Sequence, residues 1–327
     1  MAEIFRKIAL IYYISLFVVC NTRSIPHIED TKDNIVYVRT VIKGEQSIKE
    51  LWLYNLSKSS RKKLVFSKYC SYLSPKWITE SIFMFITFPH SSSKKIKLGI
   101  VDFQKQHIKF LNLWSKNQEN EPFPFAGIDY NNGNIIYYSG FMLLKIEIKA
   151  KKIKRVIPYR YISRFNIKTI DNFDICNGRK IILSAQTKKQ VELARNTRFK
   201  RYCCDLYLYE ICQDTLIKIT CGDSLFSNEY PEWFSPDTIA FSSNRNGNYD
   251  LYIMSLKSKQ IKQLTFTPDV EERVVTVSPD HKSIAYVRYY PDREDPEKMT
   301  EIWLMDLETK ETKFLDYGDQ PCWSPAK

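Results

Sequence analysis

Pro231-Glu232-Trp233-Phe234-Ser235-Pro236-Asp237 leads into Ile239-Ala240-Phe241-Ser242-Ser243-Asn244-Arg245. Asn246-Gly247-Asn248-Tyr249 then turns the chain into Asp250-Leu251-Tyr252-Ile253-Met254-Ser255-Leu256, and Ile261-Lys262-Gln263-Leu264-Thr265 ends the unit. The pattern returns at once. Val277-Ser278-Pro279-Asp280 precedes Ile284-Ala285-Tyr286-Val287-Arg288, then Glu301-Ile302-Trp303-Leu304-Met305-Asp306-Leu307, then Thr312-Lys313-Phe314-Leu315. The runs are β-branched and aromatic, and at roughly four to seven residues they are too short for stable helices. Ser-Pro-Asp between them is turn chemistry, because proline fixes φ and Asp bonds nearby backbone. Four short strands per roughly 45 residues is the arithmetic of a propeller blade.

The second strand traces back through Ile35-Val36-Tyr37-Val38, Ile82-Phe83-Met84-Phe85, Ile135-Ile136-Tyr137-Tyr138 and Ile181-Ile182-Leu183-Ser184 to Ile239 and Ile284, at intervals of 47, 53, 46, 58 and 45 residues. The third recurs at Leu51-Trp52-Leu53-Tyr54, Leu98-Gly99-Ile100-Val101, Met142-Leu143-Leu144-Lys145, Leu206-Tyr207-Leu208-Tyr209, Leu251 and Ile302. The first repeat lacks an innermost strand, and the chain finishes with Gln320-Pro321-Cys322-Trp323-Ser324-Pro325, an innermost strand without a blade. The expected fold is therefore all-β: a six-bladed β-propeller of four-stranded antiparallel blades over residues 35–327. It is closed by the C-terminal strand joining the first blade.

These motifs resemble the TolB-type, WD-like propeller repeat, whose pattern runs P-x-W-S-P-D-G, I-A-F-x-S-x-R, D-L-Y-x-M. The likeness is strong over residues 228–327 and weaker upstream. Thr238 and His281 stand where the turn glycine is usual. The resemblance implies a free-standing binding propeller. It does not carry over the Tol-complex role, because only residues 21–34 stand where TolB has an α/β domain.

The N-terminus reads as an export signal. Arg6 and Lys7 precede the uncharged run Ile8–Val19, whose twelve residues would span about 18 Å as a helix, short of a bilayer core of roughly 30 Å. Residues 1–20 are the signal and 21–34 a linker; Cys20 is either removed with the signal or becomes the acylated first residue of a lipoprotein. Seven cysteines remain, an odd number, with no CxxC pair, which argues against a zinc ribbon. Cys203 or Cys204 bridging to Cys221 and buried thiols both stay open.

Strand order puts second-to-third loops and blade-to-blade connections on one face, where propeller ligand sites usually lie. Two long loops fall there. Residues 187–204 carry Lys188, Lys189, Arg195, Arg198, Lys200 and Arg201 against Glu192, and residues 289–300 carry Asp292, Glu294 and Asp295. Both are candidate ligand or partner contacts, since long loops in compact domains are usually functional or disordered. The acidic loop lacks DxDxDG calcium spacing. Neither GxSxG nor HExxH occurs, nor a Gly-rich phosphate loop, in a chain with 9 glycines. His27, His90, His107 and His281 fall in the linker, a second-blade loop, a second-blade turn and a sixth-blade turn, and the last three are not expected to converge. Trp52, Trp233, Trp303 and Trp323 sit at repeat positions and read as blade packing. Glu50, Asp205, Asp250 and Glu301 recur at blade spacing and read as structural turn or interblade partners.

The net charge of +12, from 49 basic and 37 acidic residues, is a sum of unlike parts. Residues 1–222 hold 37 basic and 18 acidic residues, net +19; residues 223–327 hold 12 and 19, net −7. An exported protein rarely meets nucleic acid, so a polyanionic surface or an acidic partner fits better. The expected function is a monomeric, non-catalytic binding scaffold, without cofactor or metal, for a protein or an anionic glycan or lipid surface of the envelope. It touches a membrane only through a lipid anchor. The alternatives are a polysaccharide lyase or hydrolase using channel residues, and a structural subunit of an envelope complex.

Overall fold

The computed structural model describes residues 33–65, 70–89, 97–105, 107–112, 128–131, 134–139, 142–147, 152–196, 203–220 and 226–325. The stretch expected to be an export signal, the expected linker up to residue 32, and Cys20 lie outside the described residues. The chain divides into two compact units, Met1–Asn120 with Thr276–Lys327, and Glu121–Val275.

Five four-stranded sheets are built from consecutive strands. In the first unit one sheet runs Cys70–Thr79, Ile82–Pro89, Lys97–Asp102, His107–Asn112. The second unit holds three. Their strands are Ile128–Asn131, Asn134–Ser139, Met142–Glu147 and Lys152–Arg155; Ile167–Cys176, Lys180–Thr187, Asp205–Glu210 and Thr215–Lys218; and Asn228–Ser235, Thr238–Ser243, Asp250–Ser255 and Ile261–Gln263. The fifth, Glu271–Val277, Ser283–Tyr289, Thr300–Asp306 and Thr312–Tyr317, has the unit boundary inside its first strand. A further sheet is composite: Asn34–Lys43, Gln46–Asn55 and Ser60–Val65 are joined by Asp319–Trp323, which pairs antiparallel with Asn34–Lys43. The expected six equivalent blades are thus five of consecutive strands plus this composite sheet.

The second and third strands pair where the repeats put them, with Tyr37 opposite Trp52, Met84 opposite Ile100, Ile182 opposite Leu208, and Ala285 opposite Leu304. The second strands are unbroken apolar runs rather than alternating ones. Ile35–Val38, Phe83–Ile86 and Ile181–Leu183 are all buried, as strands must be when both faces of a sheet are covered. One such interface packs Val36, Leu51 and Leu53 with Tyr72, Trp77, Phe83, Phe85 and Phe103. Gly99 lies opposite Phe85, and a Cβ there would run into the Phe85 ring, so this glycine is required by packing.

Two helices interrupt the strand pattern, and the repeats assign neither. Helix α1, Tyr159–Arg164, follows Pro158 and ends before Asn166, whose φ is 52°. It buries Ile162 and sets Phe165 edge-on to Tyr207. Helix α2 is Lys188–Asn196. At the Ser278-Pro279-Asp280 turn, His281 takes the left-handed φ of 59° that a glycine would take freely, whereas Thr238 simply begins a strand. Ser278 Oγ compensates at the first turn by donating to Asp280 Oδ1 and accepting from Ser283 N.

The final strand is held on several sides within the first unit. Ile35 faces Trp323 and Val36 faces Cys322, with a bulge before Val38. Ser324 N donates to Asn34 O at 2.8 Å, Trp77 Nε1 to Cys322 O at 3.1 Å, and Ser74 N to Gln320 Oε1 at 2.7 Å. Removing residues 320–327 strips these bonds and uncovers Ile35 and Val36. The melting temperature is expected to fall by on the order of 5–10 °C or more. A truncated chain that melts with the full one in calorimetry would show that the strand contributes nothing.

Candidate functional site

Helix α2 occupies the first half of the stretch expected to be a basic loop. Thr187 and Gln190 form a capping box: Gln190 Oε1 accepts from Thr187 N at 2.7 Å, and Thr187 Oγ1 accepts from Gln190 N at 3.3 Å. The Thr-x-x-Gln spacing was visible in the sequence, but strand periodicity on either side masked it. Gln190 is buried and its Nε2 donates to Asp205 Oδ2 at 2.7 Å, which roots the helix in the sheet. Lys188 and Lys189 are exposed, and Lys188 lies 4.0 Å from Glu192 one turn on. Arg195 falls in the helix, but its side chain, together with Arg198, Lys200, Arg201 and Cys221, lies outside the described residues.

Asp292, Glu294 and Asp295 are exposed on the loop between Ser283–Tyr289 and Thr300–Asp306. Arg293 fastens that loop: its Nη1 donates to Lys298 O at 2.7 Å and to Glu301 Oε1 at 2.6 Å, and the guanidinium lies 3.6 Å from the Tyr290 ring centroid. Asp295 is taken up by Lys298 and by Glu297 N. Asp295 therefore serves the loop's own turn, while Glu297 Oε1 accepts from Ile42 N at 2.6 Å. Among the described residues no group of three or more His, Cys, Asp or Glu is placed to hold a metal ion. Helix α2 and this loop belong to different units.

The periodic carboxylates are buried and partnered inside their own sheets rather than between blades. Glu50 meets Lys43 at 2.9 Å and Lys63 at 2.6 Å. Asp205 meets Lys218 at 2.7 Å and Thr220 Oγ1 at 3.1 Å, and Asp250 meets Gln263 Nε2 at 2.8 Å and Thr267 N at 3.2 Å. Glu301 takes Arg293 and the Trp303 indole N–H. Other carboxylates do cross between sheets, and Asp316 is one that repeat reasoning missed. It accepts from Tyr37 OH at 2.5 Å and pairs with Arg39 and Arg61. Burial, then the Asp316 charge, push the Tyr37 phenol far above its ordinary range. Cys204, also buried, donates its thiol to Asp171 Oδ2, and burial holds its pKa well up. Trp233 Nε1 donates to Asp174 O on the neighbouring sheet, as Trp77 does to Cys322 O. Both tryptophans join neighbouring sheets; Trp233 was singled out at a repeat position in the sequence, and Trp77 was not.

Partner charge decides how these carboxylates titrate. Burial raises the Asp250 pKa, and its neutral donors do not overcome it. Burial also opposes ionisation of Glu50, but the Lys63 and Lys43 ammoniums outweigh it, and the pKa falls below 4.5. A depressed carboxylate stabilises the fold above its unfolded pKa and loses that contribution as pH falls through the folded value. The stability difference between wild type and Glu50→Gln should therefore shrink as pH drops from about 6 to 3. Urea titrations at the two pH values measure it, and a constant difference would contradict the assignment.

No family model matches the chain, and no curated protein matches it by sequence. Solved structures do match in fold. TolB from Acinetobacter baumannii is 16% identical with a TM-score of 0.65, over 92% of this chain and 68% of that one. A putative TolB from Agrobacterium tumefaciens is 12% identical with a TM-score of 0.59, over 88% and 93%. An oligogalacturonate lyase in complex with manganese is 13% identical with a TM-score of 0.51, over 86% and 73%. The strand repeats, the four-stranded sheets and these likenesses agree: the chain has the fold of a TolB-type β-propeller of four-stranded antiparallel blades.

Proposed function

We propose that this chain is an exported, non-catalytic propeller that acts as a binding scaffold for a protein or a polyanionic ligand of the cell envelope. In this reading the composite sheet is the sixth blade, and the pairing of Asp319–Trp323 with Asn34–Lys43 is the clasp of a closed ring. The signal-like residues 1–20 direct export, with Cys20 either removed or lipidated.

Helix α2 carries the functional reading. It is rooted through Gln190 and Asp205, yet its first turn holds Lys188 and Lys189 and no acidic residue. Cations at a helix N-terminus oppose the helix dipole. Their cost of about 0.3–1 kcal/mol each is not offset by packing, since both are exposed. Residues that break a local rule without a stabilising return are expected at functional positions. A rigidly based, basic projection is suited to capturing an anionic surface.

Replacing Lys188, Lys189, Lys200 and Arg201 with Ser should weaken binding to anionic vesicles and to dextran sulfate. It should also flatten the dependence of affinity on salt. Unchanged affinity and salt slope would remove the helix and its following loop from the site. Turnover of an acidic polysaccharide with a stoichiometric metal would replace the scaffold reading with the enzymatic one.

A further inference from the structure

Residues 152–168 hold six cationic side chains (Lys152, Lys154, Arg155, Arg160, Arg164 and Lys168) and no Asp or Glu. Three of the chain's 15 arginines fall within the ten residues 155–164, although lysines outnumber arginines 34 to 15 overall. A surface that was basic only by compositional habit would carry lysines here. Arginine differs from lysine in presenting a planar fork that matches a carboxylate through two hydrogen bonds, and in stacking on aromatic faces.

The second property is seen in the structure. Arg155 lies 5.3 Å from the Tyr159 ring centroid, Arg160 4.8 Å from Tyr161, and Arg164 5.5 Å from Phe165. Tyr161 and Phe165 pack inward on Tyr209 and Tyr207. Tyr159 does not, and remains 58% exposed. Lys154, Arg155, Arg160 and Arg164 are exposed in the same segment. Helix α1 is fixed at its base, because Arg160 pairs with Asp214 and Tyr161 OH donates to Asp214 O. Asp214 is itself held by Tyr209 OH at 2.8 Å.

We propose that the exposed segment Arg155–Arg164 binds an acidic polysaccharide, with one sugar ring on the Tyr159 face and the Arg155 and Arg164 guanidinium groups on carboxylates of successive sugars along the chain. The proposal rests on the binding-scaffold reading and names a ligand class for it, at a surface separate from helix α2. Tyr159 is the one exposed ring among the described residues of this segment, and that decides between polyanions. Single-stranded nucleic acid is gripped by successive aromatic platforms, one for each base. An interfacial helix needs a broad apolar face to enter a membrane. One ring amid forks suits one sugar residue of a uronate chain.

The test uses the full chain and alginate, a linear uronate polymer, beside its charge-neutral ester, anionic phospholipid vesicles and single-stranded DNA. Wild type should bind alginate and not the ester. The double variant Arg155→Gln, Arg164→Gln should lose about tenfold or more in affinity, as expected for two charge-assisted contacts. It should keep the wild-type melting temperature, since neither residue is part of the Asp214 anchor. Tyr159→Ala should weaken binding without changing the salt slope. Wild-type affinity in the double variant would overturn this site while leaving the scaffold reading and helix α2 intact. No alginate binding by wild type would overturn the ligand class, and so would tighter binding of vesicles or DNA through the same arginines.

Discussion

A four-stranded sheet has two faces to cover, and nearly every feature of this chain follows from covering both. The second strand of each well-described sheet is apolar at consecutive positions, so neither face can be left to water. Stacked sheets satisfy this only if each finds a neighbour, and each interface carries its own aromatic or aliphatic cluster. The cost of failure is large because each buried Ile, Phe or Leu contributes about 1.5–3 kcal/mol of transfer free energy. Helix α1 obeys the same constraint by a different route, laying Tyr161, Ile162 and Phe165 against the sheet that begins at Ile167.

Polar groups are placed to make this stacking directional. Trp77 and Trp233 each donate an indole N–H to a carbonyl on the adjoining sheet. Asp316, buried beneath Tyr37, Arg39 and Arg61, joins the last consecutive-strand sheet to the composite one. Such a carboxylate is costly to bury alone and becomes tolerable only with its full set of donors. The repeating Glu50, Asp205, Asp250 and Glu301 do different work, tying third strands to their own sheets. The recurring carboxylates are thus held within their own sheets, whereas Asp316 and Asp174 reach across to a neighbouring one.

Strand identity was legible because apolar runs between Ser-Pro-Asp turns leave few other conformations for four to seven residues. Trp233 was legible for the same reason. Helix α2 was not, although Thr187 and Gln190 announced it, because a capping box matters only once the flanking strands fix where the loop begins. The acidic loop was read as a candidate contact from its length, its charge and its place among the second-to-third-strand loops. Its geometry showed Arg293 holding the turn and Asp295 spent on Lys298 and Glu297 N.

By itself the sequence determined the blade repeat, since period and turn chemistry are local properties that each segment carries whatever surrounds it. Only the tertiary structure decided which charges are internal and which face outward. Lys63 and Lys188 look alike in sequence, yet one neutralises a buried glutamate and the other projects into water. The same holds for Tyr159 and Tyr161, two residues apart, of which one is exposed beside Arg155 and one is packed on Tyr209. Burial is a property of neighbours brought from far along the chain, and electrostatic role follows burial.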